Sequence, residues 1–283
     1  MSELGQLREE LRPAVPRALS DMEFKVFSQF GEDGILSWLT RGFSLEHRTF
    51  VEIGVGSYAE ANTRYLASRS RNPWRGFIFD CEPDHLDFGR HPESWKWSVF
   101  PVQATVRPDN VNELLGAAGV SSEIGLLSLD IDGIDYWVWD ALSATSPRIF
   151  VAEYNYVFGP SAAVTVPKAQ SFDIRSAHSS RLYFGTSLQA MVSLSKSRGY
   201  TFVGATSAGV NAFFVRNDLL AEVWPGFSGT SVQAEWRDGG FGNARNSDGD
   251  LVRLTLAEKQ GAIALCTVLD LETQTTRLVG EVL

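Results

Sequence analysis

Five short apolar runs, each followed by a longer stretch of mixed polarity, restrict what this chain can fold into: residues 50–53, 76–80, 98–102, 125–130 and 148–153. Runs of four to six residues rich in Phe, Val, Ile and Leu, with little polar alternation, read as strands covered on both faces. The stretches between them are long enough for helical crossovers, and strand–helix alternation of this kind means a parallel sheet with helices on either side. After a helical segment near 186–198, residues 199–204 and 210–215 form two further strand-like runs divided by Ala205-Thr206-Ser207-Ala208-Gly209. So short a link permits only an antiparallel hairpin. The fold class is therefore α/β, with a mostly parallel seven-stranded sheet and an antiparallel final strand.

The flanks read differently. Residues 3–42 carry apolar positions three and four apart and are expected to form a helical N-terminal lead-in, with Asp33 placed to cap the segment 34–39. Three units follow: an extension over 1–46, a central domain over 47–216, and a small C-terminal β appendage over 217–283. Within the central domain, 156–183 is rich in Ser, Ala, Gly and Pro and reads as a lid or binding loop. Residues 225–250 are turn-rich, and strand-like runs at 262–270 and 276–282 close the chain. The appendage could cover a site, join copies into a homo-oligomer through an open strand edge, or extend the core.

Charge narrows the partners. With 25 Lys and Arg against 34 Asp and Glu, the net charge of −9 repels phosphate backbones and anionic lipid. Neither nucleic acid nor a membrane is expected, which leaves a small-molecule substrate. Cys81 and Cys266 stand far apart with no Cys-x-x-Cys partner, so no disulfide framework or structural zinc is expected. The first ten residues are polar and acidic, and no apolar run approaches 18 residues. A soluble cytoplasmic protein is the expectation.

The first strand runs into Gly54-Val55-Gly56-Ser57-Tyr58-Ala59, where an open α/β sheet places its ligand beyond the strand ends and glycine lets backbone approach it. Gly54, Gly56 and Ala59 also satisfy the dinucleotide pattern G-x-G-x-x-[GA], a weak signal alone. Glu52, two residues earlier, would repel a pyrophosphate and attract a sulfonium or ammonium group, directly or through water. The second strand ends in Asp80-Cys81-Glu82-Pro83-Asp84, where a carboxylate can accept from ribose hydroxyls of either kind of cofactor.

The run Phe50-Val51-Glu52-Ile53-Gly54-Val55-Gly56 with Asn62-Thr63, then Phe79-Asp80-Cys81-Glu82-Pro83, resembles the class I S-adenosylmethionine-dependent methyltransferases across residues 28–216. Ser28-Gln29-Phe30-Gly31-Glu32-Asp33-Gly34 and the Glu82-Pro83 pair resemble the FkbM-type branch, mostly small-molecule O-methyltransferases. The resemblance implies a Rossmann-like class I methyltransferase fold, whose sheet ends in such a hairpin. It also implies S-adenosyl-L-methionine bound by Glu52, Gly54, Gly56, Asn62, Asp80, Glu82 and Asp130, with Glu82 favoured over Asp80 for the ribose. The implied activity is O-methylation of a hydroxylated metabolite, such as a natural product or sugar in secondary metabolism. N- or C-methylation, a non-methylating use of the sulfonium, and a non-catalytic binding module stay open.

The fourth strand ends in Asp130-Ile131-Asp132-Gly133-Ile134-Asp135 and the fifth in Glu153-Tyr154-Asn155. Neighbouring strand ends can bring Asp130, Asp132, Glu153 and Asn155 to one point, a hard-oxygen set suited to Mg2+. The set is similar to that of the metal-dependent catechol-type O-methyltransferases, although Tyr154 separates Glu153 from Asn155. Metal-free hydrogen bonding is the equal alternative. Those relatives carry a lysine three residues past the first aspartate, where this chain has Gly133. Of the four histidines only His178 lies in the expected lid, so His178 is the candidate general base, with Asp132 and Asp135 as rivals. Tyr136, Trp137, Phe158 and Tyr183 could wall a substrate, Trp139 reads as core, and Arg175 and Arg181 read as solvated charge or as partners of an anionic group.

Overall fold

The computed structural model describes residues 16–69, 73–83, 96–239, 244–246 and 248–283. Strands β1 (Thr49–Ile53), β2 (Arg75–Asp80), β3 (Ser98–Gln103), β4 (Glu123–Leu129) and β5 (Ser146–Glu153) are the five apolar runs. A short β6 (Val164–Thr165) precedes the hairpin strands β7 (Tyr200–Ala205) and β8 (Asn211–Arg216). The main sheet has the order β3-β2-β1-β4-β5-β8-β7, parallel throughout except for β8, which is antiparallel to both neighbours. This is the Rossmann-like α/β arrangement expected from the sequence.

The strands lack polar alternation because both faces are covered. Val51, Ile53, Phe150 and Ala152 point into one apolar cluster, while Phe50, Ile149 and Val151 enter a second on the opposite face. Trp139 stacks on Phe150 with ring centroids 3.8 Å apart, in the core as expected.

Helices α1 (Glu32–Leu39), α2 (Arg64–Ala67), α3 (Val111–Ala117), α4 (Asp135–Ala141), α5 (Ile174–Ala177) and α6 (Leu188–Ser197) carry the connections. The lead-in is less helical than its spacing predicts. Residues 1–15 lie outside the described residues, and from residue 16 it holds one 3-10 turn (Leu19–Met22) and α1, with bends between. Asp33 is inside α1 and does not cap it: Oδ2 accepts from the backbone of Val26, Phe27 and Ser28 at 2.6, 2.6 and 2.9 Å, and Gly31 is the N-cap. A carboxylate that gathers three amides organises a loop more strongly than it would end a helix.

Downstream of the main sheet lie α7 (Leu220–Val223), α8 (Val232–Glu235), β9 (Ala244–Arg245), β10 (Leu251–Val252), α9 (Leu256–Ala262), β11 (Thr267–Asp270), β12 (Thr275–Leu278) and α10 (Val279–Val282). The two expected C-terminal strands are thus shorter than their apolar runs, each being flanked by a helix. β11 pairs with β12 and also with β6, so the segment after β5 is stitched to the chain's end. No described helix is long and apolar enough to cross a membrane.

Candidate active site

The chain runs β1 to β2 to β3 on one side of the sheet and β4 to β5 on the other, so a crevice opens between β1 and β4 at their carboxyl ends. Register aligns the strand ends: Ile53 lies opposite both Phe79 and Leu129, and Leu129 opposite Ala152. The next residue of each strand therefore falls in one row, Asp80, Gly54, Asp130 and Glu153, and Asn211 of β8 pairs with Glu153. Four of these five carry polar side chains, and the fifth must be glycine. Gly54 has φ +82°, and a Cβ there would stand 1.5 Å from the Asp130 carbonyl oxygen. Gly56 has φ +52°, and its open side meets nothing within 4 Å. Close approach of β4 thus explains Gly54, whereas open space is kept at Gly56.

Glu52 is buried beneath this turn. Its Oε1 accepts from Asn62 N at 2.8 Å, and its Oε2 accepts from Thr63 N at 3.1 Å and Thr63 Oγ1 at 2.5 Å. Burial pushes its carboxyl up to about 7 against these bonds, with Asp33 adding repulsion. Glu52 therefore holds the 62–63 turn as well as flooring the cleft. Asn62 Nδ2 donates to Ser128 Oγ at 3.1 Å. Asp80 accepts from Gly56 N at 3.0 Å and from Glu82 N at 2.9 Å, so it ties the glycine turn to the end of β2. Glu82 is exposed at the cleft wall.

Asp130, Asp132 and Glu153 form the centre, each offering an oxygen within 4.8 Å of the others'. Asp130 and Glu153 hydrogen-bond to each other, and both carboxyls sit well above the ordinary range because they are removed from water and crowd like charges together. Asp132, at φ +54°, is the exposed member of the three. Its carboxyl is raised by desolvation against the pull of the Arg175 guanidinium.

Two cavities meet at these three residues. The first, about 460 Å3, is lined by Gly54, Gly56, Asn62, Asp80 and Glu82, with acidic groups outnumbering its two arginines, Arg107 and Arg175. The second, about 510 Å3, has Phe30, Tyr154, Tyr156, Leu182 and Phe184 in its walls. Asp130, Asp132 and Glu153 line both. Each cavity is of a size that holds a metabolite.

The remaining candidates sit elsewhere. Asp135 is buried with its oxygens on Ile131 N at 2.8 Å and Gly133 N at 3.0 Å, shaping the Asp132 turn and lining neither cavity. Asn155 lines the second cavity, but its amide is committed: Oδ1 accepts from Val157 N at 3.0 Å, and Nδ2 donates to Leu182 O at 2.8 Å and Phe184 O at 3.0 Å. Its fully buried side chain straps two loops together, so it does not join the carboxylates as an oxygen donor. His178 lines neither cavity; its Nδ1 pairs with Ser180 Oγ at 2.8 Å, so the position does not suit a general base. Tyr136, Trp137, Phe158 and Tyr183 line neither cavity, and Phe158 is core. His85 and His91 lie outside the described residues.

Sequence reading missed Gln29, which lines both cavities, and the pair Glu32–Asn211. Asn211 Nδ2 donates to Glu32 Oε1 at 2.8 Å, and its buried Oδ1, in a residue that lines the first cleft, has no hydrogen-bond partner among the described residues. Gln29 and Glu32 belong to the quoted segment 28–34, a usable signal. Asn211 reads only as a strand residue until the hairpin brings it against Glu153.

No protein-family model matches the chain, and no curated protein matches it. Solved structures with a similar trace include the N-terminal domain of EvdMO1 with SAH bound, 12% identical over 75% of this chain and 94% of that one, TM-score 0.43. A methyltransferase from Geobacter sulfurreducens is 14% identical over 76% and 96%, TM-score 0.41. PKMT2 from Rickettsia typhi in complex with AdoHcy is 9% identical over 69% and 55%, TM-score 0.44. Each likeness is one of chain layout.

Proposed function

We propose that the chain is an S-adenosylmethionine-dependent methyltransferase acting on a hydroxyl group of a small molecule. The observation that carries this reading is the placement of Asp130, Asp132 and Glu153 in the wall common to two cavities, where a group passing from one to the other must move beside them. S-adenosylmethionine, when bound, supplies a methyl group on a good sulfonium leaving group. The residues of the first cleft fit it: Gly56 leaves open space, Glu82 offers a carboxylate for vicinal hydroxyls, and the acidic lining favours a cation over a pyrophosphate. Gly54 and Asn62 shape the turn from below.

In the second cavity the three carboxylates orient the acceptor hydroxyl and take its proton. A carboxyl with raised proton affinity is a stronger base near neutral pH than an ordinary one. Asp132, open to water, is the member able to pass that proton on. A second reading is favoured by the spacing of the same oxygens: Asp130, Asp132 and Glu153 would hold a divalent cation such as Mg2+, which would supply Lewis-acid polarisation of the acceptor oxygen. Activity lost with a chelator and restored by Mg2+ supports the cation, and activity retained after chelation supports direct proton acceptance.

Calorimetry with S-adenosylhomocysteine tests the core of the proposal. Binding in the micromolar range is expected; no binding, or preferential binding of a nicotinamide or flavin cofactor, overturns it. Product mass spectrometry then identifies the methylated atom and separates O- from N- or C-methylation.

A further inference from the structure

The second cavity is lined by both acidic and basic side chains. Its acids are Asp130, Asp132 and Glu153, on the side shared with the first cleft. Its arginines are Arg175, Arg181 and Arg245, and the last two line the second cavity alone. They come from segments far apart in sequence: Arg175 from α5, Arg181 from the turn that follows it, and Arg245 from β9. Arg245 N donates to Ser180 O at 3.1 Å, which sets β9 against that turn and brings Arg245 next to the residue beside Arg181.

The side chain of Arg181 makes no hydrogen bond or ion pair with any described residue, although it is half-buried. Among other half-buried arginines, Arg216 reaches Asp218 at 2.8 Å and Glu123 at 3.2 Å and Arg148 reaches Glu123 at 3.1 Å, while Arg64 and Arg198 donate to backbone carbonyls. Arg245 spends one guanidinium nitrogen on Gly249 O, a neutral carbonyl that orients the group, and forms no ion pair with a described residue. Like charges brought together at a cavity wall repel unless an anion joins them, and the planar fork of guanidinium matches the paired oxygens of a carboxylate or phosphate. Aromatic and aliphatic side chains, among them Phe30, Tyr154, Leu182 and Phe184, also line its walls.

From this we infer that the cavity selects an acceptor carrying an anionic group, a carboxylate or a phosphate monoester. The anion is held by Arg181 and Arg245 with Arg175 at the edge, and the acceptor's hydroxyl reaches the three carboxylates. That this ligand is a methyl acceptor rests on the proposed function; that the cavity takes an anion does not. Arg175 also compensates Asp132, so Arg181 and Arg245 are the selective pair.

The test is ligand-observed NMR on the full chain with a panel of hydroxybenzoates, their neutral amides, phenyl phosphates and the matching phenols, with and without S-adenosylhomocysteine. Anionic members are expected to bind at least about tenfold more tightly than their neutral counterparts, and the carboxylate and phosphate arms show which anion is preferred. The Arg181→Ala/Arg245→Ala double variant should lose that preference about tenfold while keeping its circular dichroism and its affinity for S-adenosylhomocysteine. Arg181→Gln alone, which keeps a polar side chain of similar reach, should lose part of it and covers the case in which the double variant misfolds. Equal binding of neutral and anionic members, an undiminished preference in the variants, or no binding by any anion overturns the inference. Failure of S-adenosylhomocysteine to bind while the anion preference persists sinks the methyltransferase reading alone. The reverse result sinks the anion site alone.

Discussion

Gly54 and Gly56 are two residues apart and both hold a positive φ, yet they answer to different constraints. Gly54→Ala would drive a Cβ into the backbone of Asp130 and should cost about 3 kcal/mol or more of folding stability, read by urea unfolding. Gly56→Ala has room, so only the left-handed backbone is penalised, about 1–2 kcal/mol, and the loss should appear chiefly as weaker S-adenosylhomocysteine binding by calorimetry. Glu52 gives a pH test. Asp33, Tyr58 and Asp130 face it, and its carboxyl is raised in the fold from 4.5 to about 7. A raised acid contributes stability that is fully present below its unfolded value and is lost as pH climbs through the folded one. Unfolding free energy should therefore fall between about pH 4.5 and 7, by at most about 3.5 kcal/mol from this group, and Glu52→Gln should flatten that slope. Asp135, raised to about 6 by burial, acts in the same direction. For the proposed methyl transfer, Glu153→Gln should lower the rate about 100-fold or more with S-adenosylhomocysteine affinity retained, measured by a coupled turnover assay and calorimetry.

Among the elements, the segment after β5, read from its Ser, Ala, Gly and Pro content as a lid or binding loop, contributes residues to both cavities and is also held by pairing, β6 with β11 and Thr165 with Thr186. Asn155 closes the arrangement by donating to Leu182 O and Phe184 O. Removing a buried amide that satisfies two carbonyls costs on the order of 2 kcal/mol. Asn155→Ala should accordingly speed hydrogen exchange of residues 178–187 and loosen the second cavity, with the first cleft unaffected. Exchange measured by mass spectrometry checks this, and unchanged protection would mean the strap is unimportant.

For the whole molecule, the closing residues 255–283 are tied into the same apolar cluster as the sheet: Ile263, Val268 and Val279 are fully buried alongside Val157 and Phe158. Lys259 Nζ donates to Tyr156 OH at 2.9 Å and Gln260 to Val157 O at 3.1 Å, and both Tyr156 and Val157 line the second cavity. Truncation before Thr255 should lower the melting temperature by more than about 5 °C and impair acceptor binding more than cofactor binding. Equal stability in differential scanning calorimetry would show that the closing segment is dispensable to the core.

Some of this was written in the chain itself. Runs such as 76–80 and 148–153, buried on both faces, leave no alternative to strands, and the five-residue link 205–209 forces a hairpin; local chemistry decides both. The convergence of Asp130, Asp132 and Glu153 was legible too, because strand ends in a parallel sheet are neighbours wherever the helices lie. What the tertiary structure alone decided is where each polar atom spends its hydrogen bonds. Asp135 and Asn155 have the right chemistry, but nearer backbone amides and carbonyls claim them. His178 shares its loop with residues of the site yet lines neither cavity, and Arg181 and Arg245, 64 positions apart, line one cavity only because β9 folds back on the turn at Ser180. Strand formation depends on a few adjacent side chains, whereas the allocation of a buried polar group depends on every partner the fold brings within about 3 Å, and that distance is not a property of the sequence.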